Sequence, residues 1–79
     1  MQLKIYDEPT EVTNFSKTTT KDPVTGNKIT VWFGEFRNGD FSLNLDHSTN
    51  LLSGYITRFG ELSKLDADTA IEIYQQLDK

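Results

Sequence analysis

The dipeptide Asn38-Gly39, set between the runs ITVWFGEF (29–36) and DFSLNLD (40–46), constrains the fold more than any other feature of the chain. Two stretches rich in aromatic and β-branched residues joined through Asn-Gly signal a β-hairpin, because both turn residues tolerate positive φ. With a two-residue turn at Asn38-Gly39, Arg37 faces Asp40 and Phe36 faces Phe41. Phe41, Leu43 and Leu45 then share one face of the second strand, and Ser42, Asn44 and Asp46 the other.

Carried back from Phe36, strict alternation points Gly34, Trp32 and Thr30 inward and leaves Ile29, Val31 and Phe33 outside. A β-bulge at Gly34 would reverse the parity and return those three residues to the core. The bulged reading predicts that Trp32 lies on the solvent face of the sheet, with Lys28, Thr30, Glu35 and Arg37. Upstream, "DPVTGN" (22–27) is a loop, since Pro23 fixes its own φ and Gly26-Asn27 accept positive φ. If that loop joins two strands, Lys21 faces Lys28, Thr19 faces Thr30 and Lys17 faces Trp32. A slip by one residue would turn the lysines toward the core. Phe15 then shares the outer face unless a second bulge near Asn14 turns it inward. The candidate partner-binding face is therefore Trp32, Lys17, Lys21, Lys28 and Thr30.

The ends of the chain read more simply. "QLKIY" (2–6) alternates as a half-buried strand that Pro9 ends. Leu51, Leu52, Tyr55, Ile56, Phe59 and Leu62 fall on one face of a helix that Asp46 or Ser48 would cap and Gly60 would stop, although Gly54 disfavours a helix and "YITRF" alone would pass for a strand. "ADTAIEIYQQL" (67–77) follows Asp66 as N-cap, with Leu65 placed to close on Ala70 as a hydrophobic staple. The expected architecture is α+β: a small antiparallel sheet of three to four strands with two C-terminal helices packed on one face, in a single domain spanning 1–79.

A 79-residue chain buries only about 60 to 65% of the surface its unfolded form exposes, which leaves little room for a large internal active site. The chain has no cysteine, and no apolar run long enough for a signal peptide or a membrane span, so the expected location is cytoplasmic. The net charge is −4, unevenly spread: residues 12–37 sum to +2 and residues 61–79 to −3. The acidic residues Asp68, Glu72 and Asp78 of the last helix form a second candidate face.

Catalytic and metal chemistry find little support. His47 is the single histidine, and a lone histidine among scattered serines is not a triad. The absence of cysteine excludes a Cys-based nucleophile or a Cys/His zinc cluster. Asp66-Ala67-Asp68 lacks the remaining ligands of a calcium loop, and its place before a helix suits capping. No catalytic residue, metal or cofactor is expected.

What remains is a small non-enzymatic protein that binds and modulates a larger protein, of the inhibitor or adaptor type. Its size and acidity suit an accessory protein of a virus or mobile element. The alternative is a single-stranded nucleic-acid-binding module, with a base stacked on Trp32 and lysines near phosphates. The six residues FSLNLD (41–46), leading into an apolar-stepped segment, resemble the last strand-to-helix join of the positive-cofactor-four type of single-stranded-DNA-binding domain. That resemblance implies a curved four-stranded sheet with a helix. A sequence pI of 4.7 weighs against the nucleic-acid alternative.

Overall fold

Along residues 1–77, which the computed structural model describes, the chain forms strands β1 (Gln2–Ile5), β2 (Glu8–Glu11), β3 (Thr13–Lys21), β4 (Lys28–Phe36), β5 (Gly39–Asp46), β6 (Leu51–Arg58) and β7 (Glu61–Lys64), then helix α1 (Ala67–Leu77). β1 and β2 pair as a hairpin, while β3 to β7 form a five-stranded sheet in which each strand lies antiparallel to the next. The β1–β2 hairpin and α1 cover one face of that sheet. Leu3, Ile5 and Val12 from the hairpin region meet Trp32, Phe41, Leu43 and Ile56 from the sheet and Leu65, Ala70 and Ile73 from the helical end in one core.

This corrects the expected sheet of three to four strands under two helices. Residues 51–64 are a β-hairpin, not a helix. In the strand, the apolar stripe divides: Leu52, Gly54 and Ile56 turn to the covered face, while Leu51 and Tyr55 turn away from it. Gly54, a liability in a helix, suits this strand because a Cβ there would lie 2.3 Å from the Ser42 carbonyl oxygen. Asp46 does not cap a helix; its carboxylate accepts the Ser48 N–H (2.9 Å) inside the β5–β6 loop. FSLNLD accordingly leads into another strand, so its likeness to a strand-to-helix join ends there.

The bulge expected at Gly34 is also absent. Alternation runs unbroken along β4, with Thr30, Trp32 and Gly34 buried and each paired in order to Leu45, Leu43 and Phe41. Gly34 serves packing instead of parity: a Cβ there would come within 2.6 Å of a Val12 methyl and 2.7 Å of the Phe41 ring. The tight turn is Arg37-Asn38, with Phe36 opposite Gly39. Gly39 is needed in the strand because β6 passes so close that a Cβ would sit 1.7 Å from the Thr57 carbonyl oxygen.

Trp32 is consequently interior, at 3% exposure, and its ring meets Tyr74 of α1 edge-on, with centroids 5.5 Å apart and planes at 73°. The expectation that it faces solvent fails because the helix covers the face that holds the Gly34 gap. A bulge does occur near Asn14, between Thr13 and Ser16, with Asn14 at φ 50°; Phe15 beside it stays at the surface.

α1 begins as expected. The Thr69 hydroxyl donates to the Asp66 carboxylate, Ala70 N–H donates to the Asp66 carbonyl, and Leu65 and Ala70 are both buried. The Thr69 hydroxyl, joined by the N–H groups of Asp66 and Thr69, holds the Asp66 carboxyl below its ordinary 3.8.

Candidate protein-binding surfaces

The cross-strand pairs expected between β3 and β4 are present: Lys17 opposite Trp32, Thr19 opposite Thr30, Lys21 opposite Lys28. They lie, however, on the face that the core occupies. Lys17 folds its ammonium to 5.7 Å from the Trp32 ring centroid. Thr30 is buried, and its hydroxyl is shared between Thr19 Oγ1 (3.0 Å) and His47 Nε2 (2.7 Å). Trp32 and Thr30 are thus structural, and of the five expected partner-binding residues only Lys17, Lys21 and Lys28 reach solvent. The nucleic-acid alternative loses its stacking residue with them.

The Thr30–His47 contact has the separation of a nucleophile and its base, but the hydroxyl is enclosed and already bonded to Thr19. It ties β3, β4 and the β5–β6 loop together. Among the described residues no group of three or more His, Asp or Glu side chains is placed to hold a metal ion. In the acidic helix, Asp68 is exposed and Glu72 half-buried; Asp78 lies outside the described residues.

The uncovered face of the sheet tells more. Alternation sends Ile29, Val31 and Phe33 there from β4, Leu51 and Tyr55 from β6, and Leu62 from β7. Tyr55 is 48% exposed and Leu62 68%, whereas the β4 residues are half-buried by their neighbours. Between the two apolar columns β5 contributes Ser42 and Asn44, short side chains with hydrogen-bonding groups. Strands lie about 4.8 Å apart, so the columns stand about 10 Å from each other across a lower polar strip.

The charges of this face are acidic at both ends. Glu35 and Asp40 face each other at one end, Asp46 stands at the other, and Lys64 lies beside Tyr55. The Ser48 N–H, with the Asn27 amide, holds the Asp46 carboxyl below its ordinary 3.8, so the charge is present at neutral pH. Phosphates would be repelled here, and a second copy laid face to face would meet like charges at its ends.

A second surface gathers where the turns meet. The chain's two arginines, Arg37 and Arg58, line one cleft of about 330 Å³ with Glu8, Pro9, Phe36 and Phe59. Arg58 stacks on Tyr6, its guanidinium carbon 4.3 Å from the ring centroid. Phe59 is 81% exposed and holds φ at 52°, a conformation costly for a bulky side chain. Sequence reading missed this group because its members come from three turns. The only local sign was an aromatic beside Gly60, where hairpin turns usually carry Asn or Asp.

No known protein family, curated protein or solved structure matches this chain.

Proposed function

We propose that the protein is a small interaction module that binds and modulates a larger protein, an inhibitor or adaptor, and that it docks through the open face of its sheet. The observation that carries this is the pair of apolar columns, Ile29-Val31-Phe33 and Leu51-Tyr55, on a face that neither the helix nor the β1–β2 hairpin covers. An uncovered apolar sheet face in so small a chain is a hydration cost unless something occupies it. The acidic ends favour a protein with cations around an apolar patch over nucleic acid or a second copy.

The test pairs native protein with Val31→Asp and Tyr55→Asp, first confirmed as folded by circular dichroism. A protein captured by the native chain is identified, purified and titrated calorimetrically. Each substitution weakens the reconstituted complex by tenfold or more, as truncating or charging an interface centre does. Unchanged affinity in both variants rules out the open face, and a concentration-dependent dimer lost in both assigns it to self-association instead.

A further inference from the structure

A β-sheet edge is a row of unpaired N–H and C=O groups that accepts another strand unless something blocks it. Among the described residues, three of the four edges are blocked or short. β1 has the outward N–H and C=O of Lys4 taken by the Gln76 amide, β2 carries Pro9, which has no N–H to offer, and β7 is only four residues long. β3 is different: its nine residues are all exposed, it pairs only with β4, and its one bulge lies at the Asn14 end.

The pairing pattern identifies which groups face outward. Asp22 N–H bonds the Asn27 carbonyl, so by alternation Thr20, Thr18 and Ser16 bond toward β4. The N–H and C=O of Lys17, Thr19 and Lys21 therefore point away from the sheet over a straight run. Their side chains share one face, with Lys28 beside Lys21. No ion pair engages these lysines among the described residues.

We propose that β3 is a strand-addition site for an extended acidic segment of a partner protein. The segment bonds the backbones of Lys17, Thr19 and Lys21 and presents carboxylates four positions apart, opposite the two lysines. The charge pattern selects the occupant. A second copy paired antiparallel about Thr19 would set Lys17 against Lys21 of its mate, a like-charge contact on both sides of the axis. In that fully overlapped register the lysines oppose self-pairing, and they define the complement. This edge is separate from the open face and acts whether or not that face docks a partner.

The probe is a synthetic heptapeptide, Thr-Glu-Thr-Val-Thr-Glu-Thr, titrated into ¹⁵N-labelled protein. Expected are shifts and slowed hydrogen exchange at the amides of Lys17, Thr19 and Lys21. The same peptide N-methylated at its Glu and Val amides, or carrying Lys for Glu, binds at least tenfold more weakly, and Lys17→Glu with Lys21→Glu reverses the preference between the Glu and Lys peptides. The proposal is overturned by any one of four results: no response at millimolar peptide, perturbation confined to the open face, equal affinity for Glu and Lys peptides, or protection of the β3 amides by dimerisation without peptide.

Discussion

Gln76 and Lys4, 72 positions apart, are joined as two strands would be: Lys4 N–H donates to Gln76 Oε1 (2.6 Å), and Gln76 Nε2 donates to the Lys4 carbonyl (2.8 Å). One side-chain amide closes the free edge of β1 and clamps α1 to the hairpin that lies over the core. Gln76→Leu keeps the side chain's bulk and removes both bonds. It should cost about 1 to 2 kcal/mol by denaturant titration and accelerate exchange of the Lys4 amide, with little change elsewhere on the sheet.

Trp32 packs against Tyr74 beneath Lys17, so its fluorescence should be blue-shifted and resist acrylamide until the chain unfolds. Trp32→Ala should cost about 3 to 5 kcal/mol, enough to unfold much of a domain this small. A solvent-like emission maximum in folded protein would contradict the burial.

Gly34 should resist enlargement. Gly34→Ala places a methyl against Val12 and Phe41 and is expected to cost about 1 to 3 kcal/mol, read as a lowered urea midpoint. A bulge glycine at this position would show no such steric dependence on its neighbours, and the companion change Val12→Ala should recover part of the loss.

Phe59 makes the opposite case. It occupies the first left-handed position of the β6–β7 turn, followed by Gly60 at φ 79°. Phe59→Asn suits that geometry better and should raise stability by about 0.5 to 1 kcal/mol, seen as a higher melting temperature. If the same change abolishes binding to a captured partner, the exposed ring is a contact residue held at a stability cost.

Acid should act on the start of α1. A carboxyl whose folded value is depressed contributes stability above its unfolded value and loses that contribution as pH falls through the folded one. For Asp66 this window opens near its ordinary 3.8 and extends downward. Thr69→Val removes the hydroxyl donor, so the Asp66 carboxyl, followed by NMR titration, should move up toward 3.8 and acid unfolding should begin at higher pH. Asp46, held by Ser48 and Asn27, should titrate as before.

Much of this fold follows from local chemistry. The alternation in "QLKI" and "FSLNL", the Pro-Gly loop that registers Lys21 on Lys28, and the Asp66 cap are decided by neighbours a few residues away, and each is present, although the first strand stops at Ile5, with Tyr6 turning at φ 51°, and Pro9 lies inside β2 instead of ending it. The segment 51–58 is not decided that way, because its apolar residues fit a helical period and a strand equally well until β5 offers a pairing edge.

The candidate site was legible only in part for the same reason. Strict alternation back from Phe36 already turns Thr30, Trp32 and Gly34 inward, as found, but Ile29, Val31 and Phe33 on the other face are as large and apolar, and the bulged reading follows from refusing to leave them uncovered. Tertiary packing makes that choice. Val12 and Phe41 fill the space that Gly34 leaves, Tyr74 meets Trp32 edge-on, and the helix closes on that side. Shape complementarity between distant elements thus buried the tryptophan and left Val31, Phe33 and Tyr55 on the open face.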